Sequence, residues 1–273
     1  MSGVDRGPRP RMTMTSQTAH LERLLMEVQA PVARITLHNP PLNVLDPPLL
    51  SELACALAES EARSDISVIV LSGEGKHFSA GVDVAAHAPD QVAAMLAGLH
   101  GIIRALISTK KVTIAAVQGN CLGGGAELAL VCDLVYSSDD ARWGFPEIQL
   151  GCFPPVAVTA LSALVGQKRA ADLILTGRSI SGTEAARIGL ATKEASAGQL
   201  SNSVDEAVEK LSRLSPAALA ITKKALYAWD SMHFDKGLAR AEKIYLDELM
   251  QTYDAREGIR AFLEKRNPEW KGR

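Results

Sequence analysis

From Leu21 onward the spacing of apolar positions changes several times, and each change marks a strand or a helix. LLMEV and VARITL read as two short strands, LLSELACALAESEA as a helix, ISVIVLSG as a buried strand and VAAMLAGLHGIIRAL as a second helix. VTIAAVQG then reads as a strand, GGGAELALVC as a helix and DLVYSS as a strand. Strands alternating with helices predict an α/β layer structure with parallel neighbours. After about Gly151 the helical period takes over in AVTALSALV, RAADLILT, TEAARIGL, the 203–213 stretch, PAALAITKKALYAW and FDKGLARAEKIYLDELM. The last third is therefore expected to be nearly all α. With no internal repeat or linker between the two parts, residues 21–273 read as one folded unit.

Residues 1–20 break this pattern, being rich in Ser, Thr, Pro, Arg and Gly and lacking the apolar core of a secretory signal. They read as a disordered leader. No run of about 18 apolar residues exists, so no membrane partner is expected. A hydrophobic share of 47% is ample for a core, and 29 basic against 31 acidic residues leave a net charge of -2, which gives no drive toward nucleic acid. Cys55, Cys121, Cys132 and Cys152 form no CxxC pair and have no histidine at zinc-ligand spacing. They point to buried thiols in a reducing cytoplasm, with no metal site.

Two glycine-rich segments invite a phosphate-binding reading and fail it. SGEGKH has no second glycine at P-loop spacing and no Ser or Thr after Lys76, and GCLGGGAE lacks GxGxxG spacing. Both instead place glycines where a strand ends, letting backbone amides approach a ligand closely. Two such turns facing each other can form an oxyanion hole. Glu127 falls in the first turn of the helix opening at Gly123 to Gly125, and Glu147 follows Pro146 at the start of another short helix. Such a pair can flank a water molecule, and burial beside each other would push one proton affinity up. The helix dipole alone also favours acidic residues in a first turn, and spacing does not decide between the readings. His77 and His87 flank this region as loop histidines, Lys223 and Lys224 read as a solvated face, and Ser79 near His77 lacks an acid to complete a triad.

Three elements in register carry a family resemblance. HFSAGVDV matches the F-[SA]-A-G-x-D-[ILV] element of the crotonase (enoyl-CoA hydratase/isomerase) family, AAVQGNCLGGGAELALVCD matches its G-G-G-x-E-L element, and WGFPEIQLG matches its P-E-x-x-x-G element. The similarity runs over residues 24–266. It implies an α/β spiral of ββα units over residues 21–200 and a helical trimerisation region over 201–273, assembled as a homotrimer or homohexamer. It also implies an oxyanion hole from the amides of Val82 and Gly124, with Glu127 and Glu147 as the acid/base pair. The substrate would be a small-molecule CoA thioester, with no separate cofactor. Its binding positions would include Leu42, Ala80, Asp83, His87, Phe153 and Pro154, with Phe262 and Lys265 matching positions that reach the coenzyme's adenine and phosphate, often from a neighbouring subunit.

Where many members carry a lysine, this chain has Ala85, and where many run P-G-A-G-G it reads CFPPVAV. CFPPVA and AAHAPD look similar to family members that hydrate cyclic dienoyl-CoA thioesters in aromatic degradation. Many isomerases of the family keep a carboxylate only at the position of Glu147, so Glu127 favours water addition. The resemblance thus implies a lyase that hydrates a conjugated enoyl-CoA or cyclic dienoyl-CoA. The alternatives are an isomerase or acyl-CoA hydrolase on the same fold, and a catalytically idle member that binds RNA or a partner.

Overall fold

The structure is a computed structural model and describes residues 17–88, 90–196, 198–227 and 230–272. Strands β1 (Gln17–His20), β2 (Leu24–Gln29) and β3 (Val32–Leu37) lead into helix α1 (Pro47–Ala62), β4 (Val68–Gly73) and α2 (Val92–Ser108). Then come β5 (Val112–Val117), β6 (Asn120–Leu122), α3 (Gly124–Leu130), β7 (Leu134–Ser138) and β8 (Arg142–Gly144). The rest comprises α4 (Pro155–Val165), α5 (Gln167–Thr176), β9 (Ser179–Ser181), α6 (Gly182–Ile188), β10 (Lys193–Ala195) and α7 (Leu200–Ser212). It closes with α8 (Pro216–Tyr227), α9 (Asp230–Asp247) and α10 (Tyr253–Leu263).

The main sheet runs β1-β2-β3-β4-β5-β7-β10, antiparallel across its first two pairs and parallel from β3 to β10. Its centre is apolar on both faces: every residue of β5 is buried, as expected of a parallel strand covered on both sides. A smaller sheet, β6-β8-β9, lies alongside. Bridges from Ser79 to Cys121 and from Leu45 to Val82 extend its pattern into the loops after β4 and β3. A long strand, a short strand and a helix therefore recur as β4, residues 79–82 and α2, then as β5, β6 and α3, then as β7, β8 and α4. This is the ββα spiral of the expected α/β fold, followed by C-terminal helices.

Two expectations are corrected. The disordered leader was expected to reach residue 20, but Gln17–His20 pair antiparallel with β2; residues 1–16 lie outside the described residues. From α4 onward the chain is nearly all helical, as expected, apart from the three-residue strands β9 and β10, which pair with β8 and β7. Val204, Ala207 and Val208 of α7 form one buried cluster with Val68, Val70 and Ile114 of the sheet. Finally, Lys224 is exposed as expected, but Lys223 is buried: its Nζ donates to Asp133 Oδ2 at 2.7 Å and to the Lys111 carbonyl at 2.9 Å. Pairing and hydrogen bonding are what make a buried ammonium tolerable. Cys121, Cys132 and Cys152 are buried thiols, and Cys55 is exposed.

Among the described residues, no helix is long and apolar enough to cross a membrane, and no cluster of side chains has the makeup of a metal site.

Candidate active site

α3 starts where the chain turns sharply out of β6. Gly123 has φ 51° and ψ -129°, a conformation open to glycine and strained for other residues. A Cβ there would stand 2.6 Å from Glu147 Oε1, so the missing side chain leaves room for that carboxylate. Gly124 is the first residue of α3, and its amide has no acceptor inside the helix. A Cβ on Gly124 would meet Val82 Cγ2 at 2.7 Å, which puts the turn after β4 against the turn after β6. Gly81, at φ 100°, lets the chain bend there. Among the described residues, neither the Val82 nor the Gly124 amide donates to a backbone carbonyl.

Glu127 is buried, and α4 explains how. Pro155 occupies the first position of α4, where its lack of an N–H leaves no donor unmet. The next two amides, of Val156 and Ala157, both donate to Glu127 Oε1, at 2.9 and 3.0 Å. The Val158 amide donates to the Pro154 carbonyl at 2.9 Å, completing the turn. One carboxylate thus caps a helix remote from it in sequence. Burial pushes the Glu127 carboxyl up to about 7, partly opposed by the two amides. Glu147 sits in the first turn of a short 3-10 helix, Pro146–Leu150. Its Oε2 is buried without a hydrogen-bond partner. Burial first, and the neighbouring Glu127 second, push its carboxyl up to about 8.

Both glutamates face a cavity of about 320 Å³. Of the expected site residues, Ala80, Val82, His87, Gly124, Phe153, Pro154 and Phe262 also line it. His87 is buried, which lowers its proton affinity, and its Nδ1 lies 3.2 Å from the Asp83 carbonyl oxygen. Pro154 and Pro155 open α4 and also wall the cavity.

Three expected residues do not line the cavity. Leu42 contributes its carbonyl, which accepts from the Ala80 amide at 2.9 Å and so holds the turn from behind. Asp83 caps the short 3-10 helix Val84–His87, accepting from the Ala85 amide at 3.1 Å. Lys265, at φ 54° just past α10, is exposed, and its neighbour Arg266 lines the cavity instead. Arg266 is held by buried Glu257, with Nη1 to Oε1 at 2.6 Å. Ser79 and His77 have structural partners. The Ser79 hydroxyl donates to the Asn43 carbonyl at 2.7 Å and accepts from the Gly81 amide at 3.1 Å, and His77 Nδ1 accepts from the Asn120 amide at 3.0 Å.

Sequence reasoning missed Met95, Leu96 and Leu99 on α2, Tyr245 on α9, and the two α4 amides that hold Glu127. The α2 residues sat within a helical stripe indistinguishable from ordinary core, and Tyr245 lies in no motif.

The raised carboxyls carry a stability prediction. An unfolded chain would titrate both near 4.5, so between about 4.5 and 8 the folded chain holds more protons than the unfolded one. Their contribution is full below the unfolded value and is lost as pH rises through the folded values. Glu147→Gln is expected to raise the unfolding temperature over the parent increasingly from about pH 5 to about pH 9. A pH-independent difference between the two melting curves would contradict the assignment.

Residues 27–273 match the family described as Enoyl-CoA hydratase/isomerase, and the chain belongs to that family. It is 37% identical over 251 residues to a cyclohexa-1,5-dienecarbonyl-CoA hydratase of Thauera aromatica, covering 92% of this chain and 97% of the relative. It is 35% identical over 256 residues to a 2,3-dehydroadipyl-CoA hydratase of Escherichia coli, covering 93% of this chain and all of the relative. The crystal structure of an enoyl-CoA hydratase from Mycobacterium avium subsp. paratuberculosis superposes with a TM-score of 0.83 at 26% identity, covering 92% of this chain and 100% of that one.

Proposed function

We propose that this protein adds water across the conjugated double bond of a compact or cyclic enoyl-CoA thioester. The observation that carries the reading is the pair of buried carboxyls with raised proton affinity, sharing one cavity with two turns whose amides lack backbone acceptors. The thioester oxygen would sit between the Val82 and Gly124 amides, which stabilise negative charge as it develops on that oxygen. The two α4 amides favour the ionised form of Glu127, so the proton shared by the pair would reside mainly on Glu147. Glu127 would draw a proton from water as its oxygen attacks the β carbon, and Glu147 would protonate the α carbon. The coenzyme belongs to the substrate, and no separate cofactor is needed. A homotrimer or homohexamer in a reducing cytoplasm fits the exposed apolar side chains Leu175, Ile221 and Leu226 and the free thiols.

The acyl preference follows from the wall. Phe153, Pro154 and Pro155 border the cavity, and the Phe153 ring stands edge-on to Tyr245 with centroids 5.2 Å apart. Proline rings at a helix start have fixed φ and cannot swing aside for extra methylenes. The similarity to a hydratase of a cyclic dienoyl-CoA supports the same choice. A cyclic dienoyl-CoA or a four-carbon enoyl-CoA is expected to be hydrated at least about tenfold faster than a ten-carbon one, read as kcat/KM from loss of enoyl-thioester absorbance. Pro154→Gly with Pro155→Ala is expected to narrow the gap. Equal kcat/KM for the four- and ten-carbon thioesters would overturn the compact-substrate reading.

A further inference from the structure

The catalytic cavity has a neighbour that the mechanism above does not use, a second cavity of about 930 Å³. Phe153 lines both. It borders the catalytic cavity beside Leu150 and Tyr245, and the second cavity beside Gly151 and Cys152. The walls of the second cavity are mostly apolar and include Val158 and Ala160 of α4 and Ala241 and Ile244 of α9. Phe153 packs on the apolar cluster around Cys152, Tyr245 and Met250 yet stays half-buried, as expected of a ring bordered by open space.

The ring is held where it stands. On the chain side, the Gly151 amide donates to the Ile148 carbonyl at 3.1 Å and the Cys152 amide to the Glu147 carbonyl at 3.0 Å, and Pro154 and Pro155 follow with fixed φ. The backbone from Glu147 to α4 is therefore a short strut with little freedom to swing. On the other side the ring meets Tyr245 edge-on, with centroids 5.2 Å apart. Tyr245 is 1% exposed, and three residues earlier on α9 Glu242 accepts from His100 Nδ1 at 2.6 Å and Arg104 Nη2 at 2.9 Å, which pins α9 to α2. With both supports fixed, the Phe153 side chain is what stands between the two cavities.

We propose that Phe153 is a specificity-determining residue, a partition that ends the acyl part of the catalytic cavity and keeps a longer acyl chain out of the second one. The proposal rests on the acyl-CoA reading of the site and deepens it by assigning the length limit to one side chain; the prolines act by holding the backbone that carries it. An alkyl chain suits the space beyond the ring, because methylenes gain from leaving water for an apolar wall and bring no polar group that needs a partner.

The test measures dissociation constants of saturated acyl-CoA thioesters of four, six, eight and ten carbons by calorimetry, on the full-length parent, Phe153→Ala, Phe153→Leu, and Phe153→Ala combined with Ala241→Leu. Saturated thioesters have no double bond to hydrate, so the outcome is independent of the hydratase reading, which is judged from turnover of the four-carbon enoyl-CoA by the parent. Phe153→Ala should tighten binding of the ten-carbon thioester at least about tenfold and shift the four-carbon one by less than about twofold, with the gain growing along the series. Phe153→Leu should show the same trend with a smaller gain, and it carries the test if thermal unfolding shows the alanine variant to be unfolded. Ala241 lines the second cavity one turn before Tyr245 on the same face of α9, so Ala241→Leu should take back the ten-carbon gain. A gain equal at every chain length, a gain that survives Ala241→Leu, or no gain with either Phe153 variant would overturn the proposal.

Discussion

Glu127→Gln and Glu147→Gln are each expected to lower the rate of hydration at least about a hundredfold, the usual range for a positioned acid or base, while the protein keeps its fold. The amide that replaces the Glu127 carboxylate retains an oxygen that can accept from Val156 and Ala157, so the start of α4 keeps its cap. At position 147 the change removes a buried acid whose Oε2 has no partner, so no hydrogen bond to that oxygen is lost. What disappears in both is a carboxyl that can take up or release a proton. The pair of variants also separates hydration from isomerisation. Both should fail to add water, whereas an isomerase relying on Glu147 alone would survive loss of Glu127. Retention of most hydration activity by either folded variant would remove the two-carboxylate mechanism.

The second large effect is expected at Val82, and it should come from the backbone. Val82→Ala trims a side chain whose Cγ2 lies against the turn at Gly124 and leaves the amide in place, so activity should fall only slightly. Val82→Pro deletes the N–H. Removing one oxyanion donor costs on the order of 3 kcal/mol in the barrier, more than a hundredfold in rate. Circular dichroism and thermal unfolding would establish that the proline variant folds before its kinetics are read. Equal damage from both substitutions would mean that side-chain packing, rather than the amide, matters at this position.

Much of this site was legible in the sequence because its chemistry lies in short local patterns. Glycines at 123 to 125 followed by Glu127 announce a tight strand-to-helix turn with an acid in the first helical turn, and Pro146 before Glu147 announces a second helix start. The structure has both. The parallel sheet was legible in the long apolar runs of β4 and β5, which only a strand buried on both faces requires. What escaped depends on contacts far apart in the chain. The spiral has no sequence repeat because β6, β8 and β9 are three-residue strands, too short to show a period. Lys223 looked solvated because its partner Asp133 lies 90 residues earlier. Within the chain Arg266 rather than its neighbour Lys265 lines the cavity, and Lys265 takes a left-handed conformation two residues past the end of α10.

The central claim, water addition by this carboxylate pair, is tested most directly by turnover of a short or cyclic enoyl-CoA in water labelled with heavy oxygen, followed by mass spectrometry of the thioester. The account predicts one heavy oxygen in a hydroxyl of an intact acyl-CoA with no free thiol released, and no incorporation above background with Glu127→Gln or Glu147→Gln. A shifted double bond without label, or label in a free carboxylate alongside liberated coenzyme A, would contradict it.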